Sequence, residues 1–243
     1  MKTEDHVKVF SSTDELVLAT ANYIISQATK AVQERGRFVI SLSGGETPKQ
    51  LFAALAKAPL RDQMPWGKTF FFWGDERCVP LTDERNNAHQ AKLILFDQVN
   101  APASNIHRIP VDLSPENAAI AYEKEVADFF GGAKQQFDLM LLGLGENAHT
   151  ASLFPGTPVI HEKLVGVRSV FVKEDNMYRV TMTAPLINLS RNILFLVTGI
   201  KKAATLRNVL KAPYDPDKFP AQLIKPVDGE LQWFTASNAA LLL

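Results

Sequence analysis

The chain has 243 residues, 46% of them hydrophobic, which suffices to bury a sizeable core in one domain and leaves no disordered or repetitive tract. Lysine plus arginine equal aspartate plus glutamate at 26 each, so no bulk basic charge exists for nucleic acid or an anionic membrane, and any anionic ligand must be caught locally. The single cysteine, Cys78, excludes an internal disulfide and a multi-thiolate metal site.

Met1 to His6 is polar and has no signal-peptide core, and no apolar run approaches transmembrane length, so a cytoplasmic location is the default expectation. Ser12-Thr13-Asp14-Glu15 has the capping-box pattern. Leu16, Ala19, Tyr23, Ile24 and Ala31 then recur at helical spacing up to Gly36, predicting a long amphipathic helix. Phe38 to Leu42 reads as a strand, followed directly by Ser43-Gly44-Gly45-Glu46-Thr47-Pro48. Thr47 is the expected N-cap of the next helix and Pro48 suits its first turn. Two glycines allow close backbone approach and the free N–H groups of a helix start favour an anion. Spacing alone leaves phosphate binding and an ordinary strand-to-helix turn both open.

Thr69 to Trp73 reads as a second strand, closed by Gly74-Asp75-Glu76-Arg77-Cys78-Val79-Pro80. Three charges at a strand end are either a solvated turn or site residues. Asn86 to Val99 is helical in pattern, Asn105 to Pro110 reads as a short strand, and Ser114-Pro115 opens another helix. His107 alternates with Ile106 and Ile109, which suits a structural histidine. The apolar run Phe137 and Leu139 to Leu142 is a buried strand delivering the loop Gly143 to Gly156 to the edge of a parallel sheet, where open α/β sheets bind ligands. In that loop His149 alone has an ordinary pKa suited to proton transfer near neutrality.

Val165 to Val172 and Tyr178 to Thr183 are further strands, with Arg179 at the start of the second. Asn192 to Val197 is a near-continuous apolar strand, turned by Thr198-Gly199-Ile200-Lys201-Lys202 into a helix ending at Leu210. A lysine at a helix start opposes the helix dipole, so Lys202 is either a solvated surface residue or placed for another purpose. Gly229 to Thr235 is the last strand, and Ser237 is expected to cap a short final helix. The alternation of strand and helix predicts a mainly parallel α/β sheet with helices on both faces and glycine-bearing loops converging at one edge.

The loop Gly143-Leu144-Gly145-Glu146-Asn147-Ala148-His149-Thr150-Ala151-Ser152-Leu153-Phe154-Pro155 resembles the signature of the 6-phosphogluconolactonases, Gly-x-Gly-x-Asp-Gly-His-Thr-Ala-Ser-Leu-Phe-Pro. Asn147 and Ala148 stand where Asp and Gly are usual. Ser43 to Pro48 is similar to the family's first motif, Ser-Gly-Gly-x-Thr-Pro. Asp75-Glu76-Arg77 with Val79-Pro80 is similar to its second, and Asn87 matches a usual asparagine. The resemblance implies one domain over residues 1–243 with a modified doubly wound, Rossmann-like α/β fold. It also implies a metal-independent hydrolase without cofactor, a monomer or weak homodimer, acting on 6-phospho-D-glucono-1,5-lactone in the oxidative pentose phosphate pathway.

In that reading Ser43, Gly44, Gly45, Thr47, Asn147, Arg179 and Lys202 bind substrate and its phosphate, a remote handle that positions the ring. His149 deprotonates the attacking water, Arg77 offsets negative charge near the ring, and Asp75 orients Arg77 or holds sugar hydroxyls. At position 147 a carboxylate would favour the imidazolium of His149, whereas the amide accepts its hydrogen bond with less charge stabilisation; Glu146 is an alternative source of charge. Asp75, Glu76 and His149 meeting around a cation is a minor alternative. Cys78 has no recognisable activating partner.

Three competing functions are weighed. An amino-sugar phosphate isomerase or deaminase shares the phosphate loop but usually continues its histidine with Ile-Ala-Phe-Asn-Glu-Pro, unlike Thr150 to Pro155. A dinucleotide-dependent oxidoreductase would use Gly143-x-Gly145-x-x-Ala148 to open a helix, which Pro155-Gly156 interrupts. A non-catalytic sugar-phosphate sensor would normally carry a DNA-binding module, for which there is no spare length or basic segment.

Overall fold

The computed structural model describes residues 6–243; of the polar N-terminal run read above, Met1 to Asp5 lie outside the described residues. In chain order the elements are β1 (Val7–Phe10), α1 (Thr13–Arg35), β2 (Phe38–Leu42), α2 (Glu46–Leu55), α3 (Leu60–Gln63), β3 (Thr69–Trp73), β4 (Asp75–Arg77), α4 (Asn87–Ile94) and α5 (Pro115–Phe130). They continue with β5 (Leu139–Gly143), β6 (Val167–Val172), β7 (Met177–Met182), α6 (Ala184–Ile187), β8 (Asn192–Val197), α7 (Ala203–Lys211) and β9 (Glu230–Ala236).

Six strands form one sheet in the order β1-β9-β8-β5-β2-β3, and every neighbouring pair is parallel. The chain leaves β2 towards β3 on one side, whereas β5 is followed by β8 and β9 on the other. Right-handed crossovers in opposite directions put their helices on opposite faces and open a crevice between the carboxyl ends of β2 and β5. A second, antiparallel sheet, β4-β7-β6, grows from the same edge: β4 follows β3 after Gly74 alone, and Met182 N–H donates to Gly74 O at 2.8 Å.

Side chains of β3 alternate between the faces. Phe72 stacks on His107 at 4.4 Å and meets Phe129 of α5 edge-on, while Phe71 packs on Trp66 and Phe96. Both faces of the sheet are thus covered. His107 Nδ1 lies 2.8 Å from Glu125 Oε1, in keeping with a structural histidine. The long first helix forms as expected, with Ser12 Oγ accepting from Glu15 N–H and Gly36 closing it at φ 76°. The Glu15 carboxylate returns to Ser11 N–H and Oγ, so the reciprocal half of the capping box is shifted by one residue.

Three local expectations are corrected. Asn105 to Pro110 is no strand: a 3-10 turn over Ala103–Asn105 leads to a single bridge, Phe71 to Ile106, because Pro102 and Pro110 restrict pairing on both sides. Ser237 caps no helix; its N–H and hydroxyl donate to Phe10 O and Ser11 O, tying the chain end to β1 in a run of turns. Thr47 lies inside α2, whose N-cap is Gly45 at φ 107°.

The Tyr122 hydroxyl, fully buried on α5, accepts Trp73 N–H at 2.9 Å and lies 3.2 Å from Trp73 O and 3.3 Å from His107 O. It holds the end of β3 from which the second sheet departs. Tyr122→Phe orphans a buried N–H and is expected to cost about 1–3 kcal/mol, read as a melting temperature lower by about 2–10 °C. An unchanged melting temperature would show that this bridge contributes nothing.

Candidate active site

The loops following β2, β3, β5 and β8 meet at the crevice. A cleft of about 210 Å³ is lined there by Ser43, Gly44, Gly45, Asp75, Arg77, His149, Arg179 and Lys202, together with Asn87. A wider hollow of about 420 Å³ continues from it past Lys49 and Arg85, sharing Gly44, Gly45, Arg77, Asn87 and Arg179. Two predicted residues stand outside the lining. Thr47 is buried with its hydroxyl 2.7 Å from that of Thr198, joining the loops after β2 and β8. Asn147 is exposed and lies behind His149.

Among the helices that begin at the cleft, α2 and α4 differ in their first turns. Gly45 offers α2 no side-chain cap, so the Glu46 and Thr47 N–H groups have no acceptor among the described residues. At α4 the corresponding donors are filled. Asn86 Oδ1 takes His89 N–H at 2.8 Å, and the Glu76 carboxylate takes the N–H groups of Asn87 and Ala88 at 2.8 and 2.9 Å. The unfilled helix start is the one able to receive an anion. Glu76 is 1% exposed, and burial pushes its carboxyl up to about 7 against the pull of its three backbone donors. Its oxygens are therefore occupied by backbone rather than turned to the cleft.

In the antiparallel pair of β4 and β7, Arg77 stands directly opposite Arg179. Like charges in that relation oppose pairing and call for a counter-charge. Arg77 Nη1 donates to two neutral oxygens, Arg85 O at 2.9 Å and Asn87 Oδ1, and has no carboxylate partner among the described residues. Arg179, 8% exposed, is paired with Asp175 through Nη2 and lies 3.9 Å from Asp75 through Nη1, while its buried Nε has no partner. Its guanidinium carbon is 5.1 Å from the centre of the Phe154 ring. Of the two adjacent lysines, Lys201 is exposed and Lys202 lines the cleft without an ion pair among the described residues. Burial lowers the Lys202 pKa, and Glu146 opposes that fall, so the charge of Glu146 acts on Lys202.

His149 stacks on Phe154 with ring centres 3.9 Å apart. Its Nδ1 is 2.5 Å from Asn147 Oδ1, which also accepts the His149 backbone N–H at 3.2 Å. An amide oxygen only accepts, so Nδ1 carries the proton and Nε2 keeps a free lone pair. Burial pushes the imidazole down to about 4; Asp75 opposes this, and Arg179 and Lys202 add to it. The ring lies so close over Gly145 that a Cβ there would sit 2.1 Å from Nδ1, which demands glycine. Asp75, 6% exposed, accepts the Ser152 hydroxyl at 2.6 Å. Residues after Gly143 form turns, with Ala148 and Ala151 at φ 65° and 46°, so the glycine pattern opens no helix as a dinucleotide site requires.

Sequence reading missed the parts played by Phe154, Ser152 and Thr198. The first two lie within the quoted motif, but their contacts depend on how the loop folds back.

The sequence matches the family described as glucosamine-6-phosphate isomerases/6-phosphogluconolactonase over residues 11–233. It is 44% identical over 221 residues to the 6-phosphogluconolactonase of Synechocystis, covering 89% of each chain. The crystal structure of 6-phosphogluconolactonase from Thermotoga maritima aligns with TM-score 0.82 at 27% identity, over 96% of this chain and 99% of that one. A monomeric glucosamine-6-phosphate deaminase shares the fold at TM-score 0.83 and 20% identity, covering both chains in full. The chain belongs to the glucosamine-6-phosphate isomerase/6-phosphogluconolactonase family.

Proposed function

We propose that the chain hydrolyses 6-phospho-D-glucono-1,5-lactone to 6-phospho-D-gluconate, with His149 as general base. The observation that carries this reading is a neutral histidine with a bare Nε2, set in one cleft with an uncapped helix start and two cations, Arg77 and Lys202, that have no ion pair among the described residues. The phosphate docks on the first turn of α2 between Arg179 and Lys202 and positions the ring by its remote end. Nε2 removes a proton from water as its oxygen bonds to the lactone carbon. The charge that develops on the carbonyl oxygen falls to Arg77, a cation no carboxylate quenches. The tetrahedral carbon then expels the ring oxygen, which takes the proton from the imidazolium. At neutral pH the new carboxylic acid releases one proton to solvent. Asp75, held by Ser152, faces the sugar hydroxyls.

The reading also accounts for a base of such low pKa. Burial is its main cause; Arg179 and Lys202 add to it, and a bound phosphate would offset the charge of those two.

Proton release on adding fresh lactone, corrected for spontaneous hydrolysis, is expected to be accelerated by the wild type and to fall about 10²–10⁴-fold in His149→Ala. No acceleration by the wild type would remove the lactonase reading, and acceleration surviving in the variant would remove the base. A second measurement is an NMR titration of the His149 ring. It is expected to titrate near 4 in the free protein, below its ordinary value, and to rise both in Asn147→Asp and when 6-phosphogluconate is bound. Asn147→Asp should keep or raise lactonase activity; a large loss there would show that the amide is required.

A further inference from the structure

We propose that Glu76 is a positioning residue for the reaction: its buried carboxylate fixes Asn87, and Asn87 fixes the guanidinium of Arg77. The inference rests on the role given to Arg77 above. Arg77 is otherwise poorly constrained, since it is long, cationic and free of any carboxylate partner among the described residues. Its Nη1 is held by Asn87 Oδ1 and Arg85 O, both belonging to the few residues that enter α4. Where that segment lies decides where the cation points.

Glu76 sets that position from inside. One carboxylate oxygen accepts Asn87 N–H at 2.8 Å and the N–H of Arg77 itself at 2.9 Å, and the other accepts Ala88 N–H at 2.9 Å. A single side chain therefore clamps β4 to the first turn of α4. From the clamped backbone, the Asn87 side chain bonds twice to β4. Its Nδ2 donates to Asp75 O at 3.1 Å while its Oδ1 takes Arg77. It lies so close to the loop after β2 that a Cβ on Gly44 would fall 1.8 Å from Oδ1. One amide thus sets Arg77 against the loop assigned to the phosphate. The geometry also gives a reason for a carboxylate in a nearly dry position: it has two oxygens to serve three donors, whereas an amide would turn an N–H group towards one of them.

A double-mutant cycle tests this. Arg77→Ala is expected to lower kcat about 10²-fold, as loss of a donor aimed at developing charge does. Glu76→Gln in the wild-type background is expected to lower kcat at least about tenfold with KM changed less than about threefold, since it misplaces that donor. Added to Arg77→Ala, Glu76→Gln should lower kcat no further. Equal losses in both backgrounds would make Glu76 merely structural, and no loss in the wild type would overturn its role altogether. If Glu76→Gln does not fold, Asn87→Ala tests the last link of the chain in the same cycle, because it leaves the backbone clamp intact and removes the bond to Arg77 together with the one to Asp75 O. If the wild type turns over no lactone, calorimetric binding of 6-phosphogluconate carries the cycle. Non-additive affinity losses would then sustain the positioning role without the lactonase reading, and additive ones would end it.

Discussion

The site depends on a constraint of topology: after β2 the chain turns one way and after β5 the other. Helices on opposite faces cannot both cover the gap between those two strand ends, so four loops are left around a concavity. The chain fills it with features that isolated folding would disfavour. Two arginines face one another across β4 and β7, a lysine begins a helix, and two alanines adopt positive φ. None of these stabilises the protein by itself. The arginines and the lysine suit the proposed anionic ligand, and the large core beneath supports the site.

Much of the fold was legible because the pattern is strong where the core is continuous. The bounds of β2, β3 and β8 match the apolar runs residue for residue, since each is buried on both faces and stops where glycine or a polar residue begins. The edge strand β1 was not read. Its four residues are covered by only one neighbour, so their pattern lacks the apolar continuity that marks the inner strands. The Thr47 cap failed for a local reason: Gly45 in the left-handed region starts α2 two residues sooner than side-chain preference predicts.

The site was legible as a set of residues and less so as a division of labour. Asp75, Glu76 and Arg77 are three consecutive charges, and nothing in their spelling separates a cleft residue from an anchor. Burial and hydrogen bonding do: Asp75 and Arg77 line the cleft while Glu76 is turned to backbone. Asn147 was read both as a substrate residue and as an acceptor for the His149 ring; the structure shows the hydrogen bond, which selects the tautomer of His149, and leaves Asn147 outside the cleft lining. Position 148 shows the opposite economy. Its φ of 65° is one that glycine accepts freely, so the alanine there carries strain of about 1 kcal/mol that the family's usual residue avoids.

The Phe154 ring has one further consequence. It supports the imidazole of His149 at 3.9 Å and underlies the guanidinium of Arg179 at 5.1 Å, so the residues proposed as proton carrier and phosphate anchor share a wall. On the proposed roles, a change of that ring would alter turnover and affinity together. Substrate range in such a molecule is therefore more open to revision at the rim, near Lys49 and Arg85, than at its aromatic centre.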